Sequence, residues 1–405
     1  MKRVLIGTLS TLLIVLVILA CQDKKNNGPN TVDTILSEGI FTIIEGDSGK
    51  QQSLVKHPVI ERMKQLKVPG ASVAVIDDYE IQDLITLGKA DDVDLVDSTT
   101  IFQAASVTKF LTAVMVHKFI SEGLLDIDAD INKYLKSWKI PENDYTEHTP
   151  ITLRLLLSHQ SGLPGTNFDF DKDQGVPTLI QILNGESPAI NKPAIPIAKP
   201  GHKWAYSNIG YVVIQQLLED VTGQSFQQIA NKEIFKPLEM NSSTMDYPLP
   251  SIFTNSEATP HDEFGNAQPS QLELPAKAQG GLLTTPKDLA KLSTELMKAY
   301  KGESHFFSEE TARRLLHPET ELPFKFYDQT AYMGLGVLLI GEGENLAFIH
   351  NGYNSPGSVC IVIGFPAMGK GATIAVNSAN GEQLYLEIIA TLANEMGWPN
   401  GQFFK

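Results

Sequence analysis

Ser106-Val107-Thr108-Lys109 sets a hydroxyl and an amine three positions apart. At a helix start, residues i and i+3 share a face, so the Lys109 amine can stand beside the Ser106 hydroxyl. A serine attacks a carbonyl only with a base at hand, and a lysine serves once burial lowers its pKa. The spacing is a recorded one for a nucleophile and its base. Serine and lysine are common, however, and about one or two chance matches are expected in a chain this long. The tetrapeptide alone decides nothing.

Two further clusters carry chemistry. In Tyr206-Ser207-Asn208, a tyrosine near ammonium-type groups could be held as phenolate and shuttle a proton, while Asn208 offers an amide to a substrate carbonyl or to the lysine. In His350-Asn351-Gly352, at the end of the β-run Leu346–Ile349, the imidazole can hydrogen-bond or titrate, and Gly352 lets a substrate backbone approach closely. Against each stands a bland reading: a tyrosine capping a core, an asparagine in a turn, a lone His-x-Gly. His159, beside Ser161-Gly162, reads as a capping and packing residue rather than a second base, and His202, two residues before Trp204, as structural.

The elements that must position these groups follow from periodicity. Gly70–Ile76 and Glu80–Leu87 read as a hairpin about Asp77-Asp78-Tyr79. Ser106–Glu122 has helical spacing, with Phe110, Leu111, Val114, Met115 and Phe119 apolar. Further helices are expected at 153–158, 178–184, 211–222, 226–234, 286–300 and 308–316. Then come strands at 333–340, 346–350, 359–365 and 373–377, and a helix over 382–396. Strands therefore occur at both ends and helices in the middle. The fold class expected is α+β: one antiparallel sheet built from both chain ends, flanked by helices, with a mostly helical lobe inserted. The Pro-rich stretch 166–200 reads as a long functional loop.

Composition bounds the function. The 405 residues are 42% hydrophobic and 20% charged, enough for a large core. A net charge of −15 argues against nucleic acid, which demands a basic face. No metal-ligand spacing and no nucleotide-binding glycine loop is seen, so neither metal nor cofactor is expected. Cys360, within Val359-Cys360-Ile361-Val362-Ile363, reads as a buried, inert thiol.

Lys2 and Arg3 followed by the uncharged run Val4–Leu19 read as a secretory leader over residues 1–20. The segment ends in Ile18-Leu19-Ala20-Cys21, which resembles a bacterial lipobox and implies lipidation of Cys21. An uncleaved anchor, rather short for a span, and a plain secreted form are the alternatives. Residues 21–50 read as a polar tether and lead-in, and 51–400 as the functional domain. The expected partners are a small-molecule or peptide substrate and, through the anchor, a membrane of the bacterial cell envelope. Neither the face of that membrane nor the oligomeric state can be read.

Taken in order, the three clusters resemble those of the class C β-lactamase and D-alanyl-D-alanine carboxypeptidase superfamily, with its esterase and D-aminopeptidase relatives. The resemblance extends to Leu155-Leu156-Leu157-Ser158-His159-Gln160-Ser161-Gly162-Leu163-Pro164, Pro200-Gly201, and Gly280-Gly281-Leu282-Leu283-Thr284-Thr285-Pro286. It implies acylation of Ser106, deprotonation by Lys109 and proton relay by Tyr206. Asn208 would contact the substrate's acyl-side amide, and an oxyanion would rest on the backbone N–H groups of Ser106 and Tyr353. His350-Asn351-Gly352 departs from the Lys-Thr-Gly of true class C β-lactamases. A largely neutral histidine grips a carboxylate less firmly than a permanent cation, which turns the expectation from β-lactam towards ester or peptide. The class A Glu-x-x-Leu-Asn loop is absent. A true β-lactamase and a non-catalytic peptidoglycan-binding protein remain as alternatives.

Overall fold

Gly70–Asp77 from the start of the chain and Lys370–Val376 from its end lie side by side, Val73 opposite Ile374 and Val75 opposite Ala372. They sit within one eight-stranded antiparallel sheet in a computed structural model that describes residues 31–45, 52–166, 168–253, 257–270, 275–326 and 329–399. The leader and Cys21 lie outside the described residues.

Strands β1 (Ile40–Glu45) and β2 (Gln52–His57) form a separate hairpin, and β5 (Phe102–Gln103) and β6 (Leu283–Thr284) a short ladder. The main sheet holds β3 (Gly70–Asp77), β4 (Glu80–Gly88), β7 (Thr320–Phe326), β8 (Gln329–Met333), β9 (Leu338–Ile340), β10 (Ala347–Asn354), β11 (Ser358–Phe365) and β12 (Lys370–Val376). Its order is β4-β3-β12-β11-β10-β9-β8-β7. The expected hairpin is β3–β4, with Asp78 and Tyr79 at positive φ in its turn.

Both faces of the central strands are buried, so these strands read as near-continuous apolar runs. On one face Val73, Val75, Ile361, Ile363 and Ile374 meet Leu384, Ile388 and Leu392 of the C-terminal helix Gly381–Glu395. On the other, Ala74, Ile76, Cys360 and Val362 meet Leu289, Leu292 and Leu296 of the helix Pro286–Tyr300. Each large apolar side chain so buried contributes about 1.5–3 kcal/mol. The Cys360 thiol lies in this core, and burial pushes its pKa up to about 12. Between β4 and β7 the regular structure is mostly helical, joined by long loops. Its helices include Thr108–Ser121, Leu153–Leu157, Leu179–Asn184 and Asn208–Thr222.

From Thr31 on, the described part of the lead-in packs against the domain. Val32–Glu38 forms a helix capped by Thr31, and Val32, Leu36 and Ile40 are buried in the core beneath the C-terminal helix. The ion pair of Arg62 with Glu387, 2.7 Å, fixes the helix Val59–Leu66 to the same layer. The expected strand over 333–340 is broken into β8 and β9 around Gly334 and Gly336, the latter at φ +95°. Among the described residues no helix is long and apolar enough to cross a membrane, and no group of three or more His, Cys, Asp or Glu could hold a metal.

Candidate active site

Ser106 does not sit in the first turn of a helix, as its spacing predicts, but in a 3-10 turn, Ala105–Val107, leading into the helix Thr108–Ser121. Ala105 is left-handed at φ +48°. That conformation costs a non-glycine residue about 1 kcal/mol or more and persists only where its surroundings enforce it. Here Thr108 does so, its hydroxyl donating to Ala105 O at 2.6 Å and accepting from Leu282 N–H at 3.0 Å.

Lys109 is fully buried, its Nζ 3.0 Å from Ser106 Oγ. The amine donates to Gln279 O at 2.6 Å and lies 4.9 Å from the centre of the Tyr206 ring and 5.5 Å from that of Tyr211. Burial holds its pKa well below the ordinary lysine value of 10.5. An amine whose charged form burial disfavours more readily offers its lone pair to the serine proton.

Tyr206 Oη donates to Ser106 Oγ at 3.0 Å. The residue is 38% exposed, but its hydroxyl end meets the serine beside the buried amine. Burial pushes the phenol up to about 12, against the opposing pull of the Ser106 hydrogen bond. The resting group is thus a phenol, not the phenolate that its neighbours suggested from sequence.

His159 supports this tyrosine from beneath, its ring 4.4 Å from that of Tyr206 and 5.3 Å from that of Tyr211. Its Nδ1 accepts from Ser207 N–H at 3.2 Å. Burial, then the nearby Lys109 and His350, hold it well below the usual histidine pKa. His159 is therefore a packing residue, as its place suggested, but it packs on the site itself. His202 is exposed.

Ser207 caps the helix Asn208–Thr222, accepting from Gly210 N–H and donating to Pro164 O at 2.9 Å. Asn208 is turned towards the loop rather than shown on the lysine. Its Nδ2 donates to Thr166 O at 3.1 Å, and its Oδ1 is buried with no partner among the described residues.

The third cluster lies within β10, not at its end, because the strand runs on to Asn354. Successive side chains alternate faces, so His350 and Gly352 face the nucleophile turn while Asn351 and Tyr353 face away. Asn351 accordingly reaches Tyr385 of the C-terminal helix at 3.5 Å. The Tyr353 ring is 54% exposed on that far side, which leaves only its backbone to serve the site. His350 Nδ1 donates to Asn351 O at 2.9 Å, and burial, then Lys109, pushes the ring down to about 3. It is a neutral hydrogen-bonding group. Gly352 is required sterically: a Cβ there would fall 2.5 Å from Ala104 O. β10 pairs with β9 only over Ala347–Ile349, so no strand covers the edge of His350–Asn354 on that side among the described residues.

Sequence reasoning missed Tyr211, whose hydroxyl donates to Leu157 O at 3.1 Å beneath the lysine. Its helical spacing marks it only as core. It also missed the Gln279 carbonyl, which no side-chain pattern announces.

A family model described as Beta-lactamase matches residues 55–393. Protein flp of Staphylococcus aureus (strain MRSA252) is 26% identical over 261 residues, 62% of this chain and 48% of its own. The N-acetylmuramyl-L-alanine amidase of Bacillus subtilis (strain 168) is 26% identical over 229 residues, 54% and 51% of the two chains. The chain thus spans about half the length of the curated relatives it matches. Two solved structures share the fold. The octameric penicillin-binding protein homologue from Pyrococcus abyssi has a TM-score of 0.70 at 23% identity, covering 84% of this chain and 77% of its own. The penicillin binding protein from Bacillus halodurans has 0.66 at 22%, covering 83% and 99%. With Ser106, Lys109, Tyr206 and His350 gathered on this architecture, the chain belongs to the beta-lactamase family.

Proposed function

We propose that this protein hydrolyses an ester or amide through an acyl intermediate on Ser106, its substrate a D-amino-acid peptide, a muropeptide fragment or a small ester. One observation carries the reading. Ser106 Oγ has a buried amine and a phenol each 3.0 Å away, burial disfavouring the charged form of the one and holding the proton on the other.

The Ser106 proton passes to Lys109 Nζ as Oγ bonds to the substrate carbonyl carbon. The oxyanion rests on the N–H groups of Ser106 and Tyr353, and such donors contribute several kcal/mol to acyl transfer. Tyr206 then protonates the departing alcohol or amine as the carbonyl re-forms, and recovers a proton from the Lys109 ammonium. Water enters where the leaving group was, and the same groups run the steps in reverse. His350 supplies no positive charge, so a substrate carboxylate gains little there, which favours esters and peptides over β-lactams.

A fluorophosphonate or a fluorescent penicillin should label the protein, and Ser106→Ala should abolish the labelling. If Ser106→Ala labels like the wild type, the nucleophile is misassigned. The leader, with Cys21 at its close, supports export and lipid anchoring at the cell envelope. Palmitate labelling lost in Cys21→Ala tests that separately.

A further inference from the structure

Tyr206 is the inner end of a row of rings that runs from the nucleophile to the surface. The Trp204 ring lies 6.5 Å from that of Tyr206, and the Phe324 ring stands edge-on to Trp204 at 5.8 Å and 72°. Phe324 is 44% exposed. It belongs to β7, one of the two edge strands of the main sheet, and arrives there through an irregularity. Glu321 pairs with Tyr332 and Lys325 with Thr330, so the intervening Leu322-Pro323-Phe324 exceed their partners and bulge. Bulges re-aim side chains beside active sites, and a proline, lacking an N–H, suits an unpaired position. The Trp204 indole N–H is buried with no partner among the described residues, so ring packing rather than a hydrogen bond holds it.

An isolated exposed phenylalanine needs no explanation. One joined through Trp204 to the ring whose hydroxyl touches the nucleophile is different. Tyr206 must reach the departing heteroatom to protonate it, so whatever that heteroatom carries lies along the same row. We infer that Trp204 and Phe324 form an aromatic ledge for the leaving group, and that this protein selects substrates whose leaving group is aromatic or bulky and apolar. The inference rests on the acyl-serine reading above. Rings pack favourably edge-on or offset, a preference beyond area alone.

The test uses the purified chain and two esters of one acid, the 2-naphthylmethyl and the ethyl ester, each with wild type, Phe324→Ala and Phe324→Tyr. For Phe324→Ala, the ratio of kcat/KM for naphthylmethyl over ethyl should fall about five-fold, chiefly through KM, and Phe324→Tyr should restore it. A ratio within about twofold of wild type, in a Phe324→Ala protein that still labels with fluorophosphonate at the wild-type rate, overturns the ledge alone. If wild type is not labelled and cleaves neither ester, the acyl-serine reading falls and takes the ledge with it.

Discussion

Gly352 lies so close to Ser106 that a Cβ built on it would fall 2.6 Å from the Ser106 amide nitrogen, a separation real Cβ atoms do not adopt. The third motif therefore does more than line a cleft. It is the surface on which the nucleophile turn is seated.

Gly352→Ala should displace that turn from the strand and spoil the alignment of Ser106 with Lys109 and Tyr206. The rate of fluorophosphonate labelling is expected to fall about a hundredfold, as small misplacements in active sites do. Circular dichroism separates this from unfolding: a well-folded variant labelling at the wild-type rate would contradict the seating.

Lys109 makes the site less stable than an apolar one would be. Its folded pKa is depressed below 10.5, so between the folded value and 10.5 the unfolded chain binds the extra proton. Stability must rise with pH across that window, and the penalty is complete below the folded pKa. Lys109→Met should be inactive yet more stable at neutral pH, on the order of 1 kcal/mol or more, with a flatter dependence of Tm on pH. Equal slopes of Tm against pH for the two proteins would count against a neutral Lys109.

The pH profile of kcat/KM should owe its rising limb to Lys109 and nothing to His350, which is pushed down to about 3 and stays neutral above it. His350→Asn is expected to lower the amplitude and keep the shape. An inflection that vanishes in this variant would show that the histidine titrates. Any alkaline fall belongs to Tyr206, held up at about 12, and should be missing from the residual activity of Tyr206→Phe.

His159→Leu removes the acceptor of the Ser207 N–H and the polar support of the Tyr206 ring. A loss of about 1–3 kcal/mol in stability is expected from the stranded donor. As a positioning effect it should lower kcat more than it raises KM, and His159→Gln, which keeps an acceptor, should recover part of both.

The sequence made the chemistry legible where spacing is local. Ser106 with Lys109, and Tyr206 with Asn208, are short-range pairs, and the apolar runs of β3, β11 and β12 declared a two-sided burial. Three things lay beyond it. The helix Val32–Glu38 is short, and only the core it meets marks Val32 and Leu36 as inward-facing. The protonation of Tyr206 depends on depth, which no neighbour in sequence reports. The bulge that brings Phe324 to Trp204 arises from pairing between β7 and β8, and spacing within one strand cannot show it. Gly334 and Gly336 could have warned that the run over 333–340 was not one strand. At Gly336 a Cβ would stand 2.3 Å from that of Ala113.

The pairing of β3 with β12 also governs when this protein can exist. Gly70 N–H donates to the side chain of Asn377, 307 positions later, and strand β10 behind Ser106 is flanked by strands of the same late segment. A nascent chain, or one cut short before its last strands, holds the nucleophile sequence without the seat that shapes it. Long-range closure of this kind is slow. The nucleophile turn therefore gains its seat only once the strands from β9 to β12 have joined the sheet, and a chain ending before them lacks it.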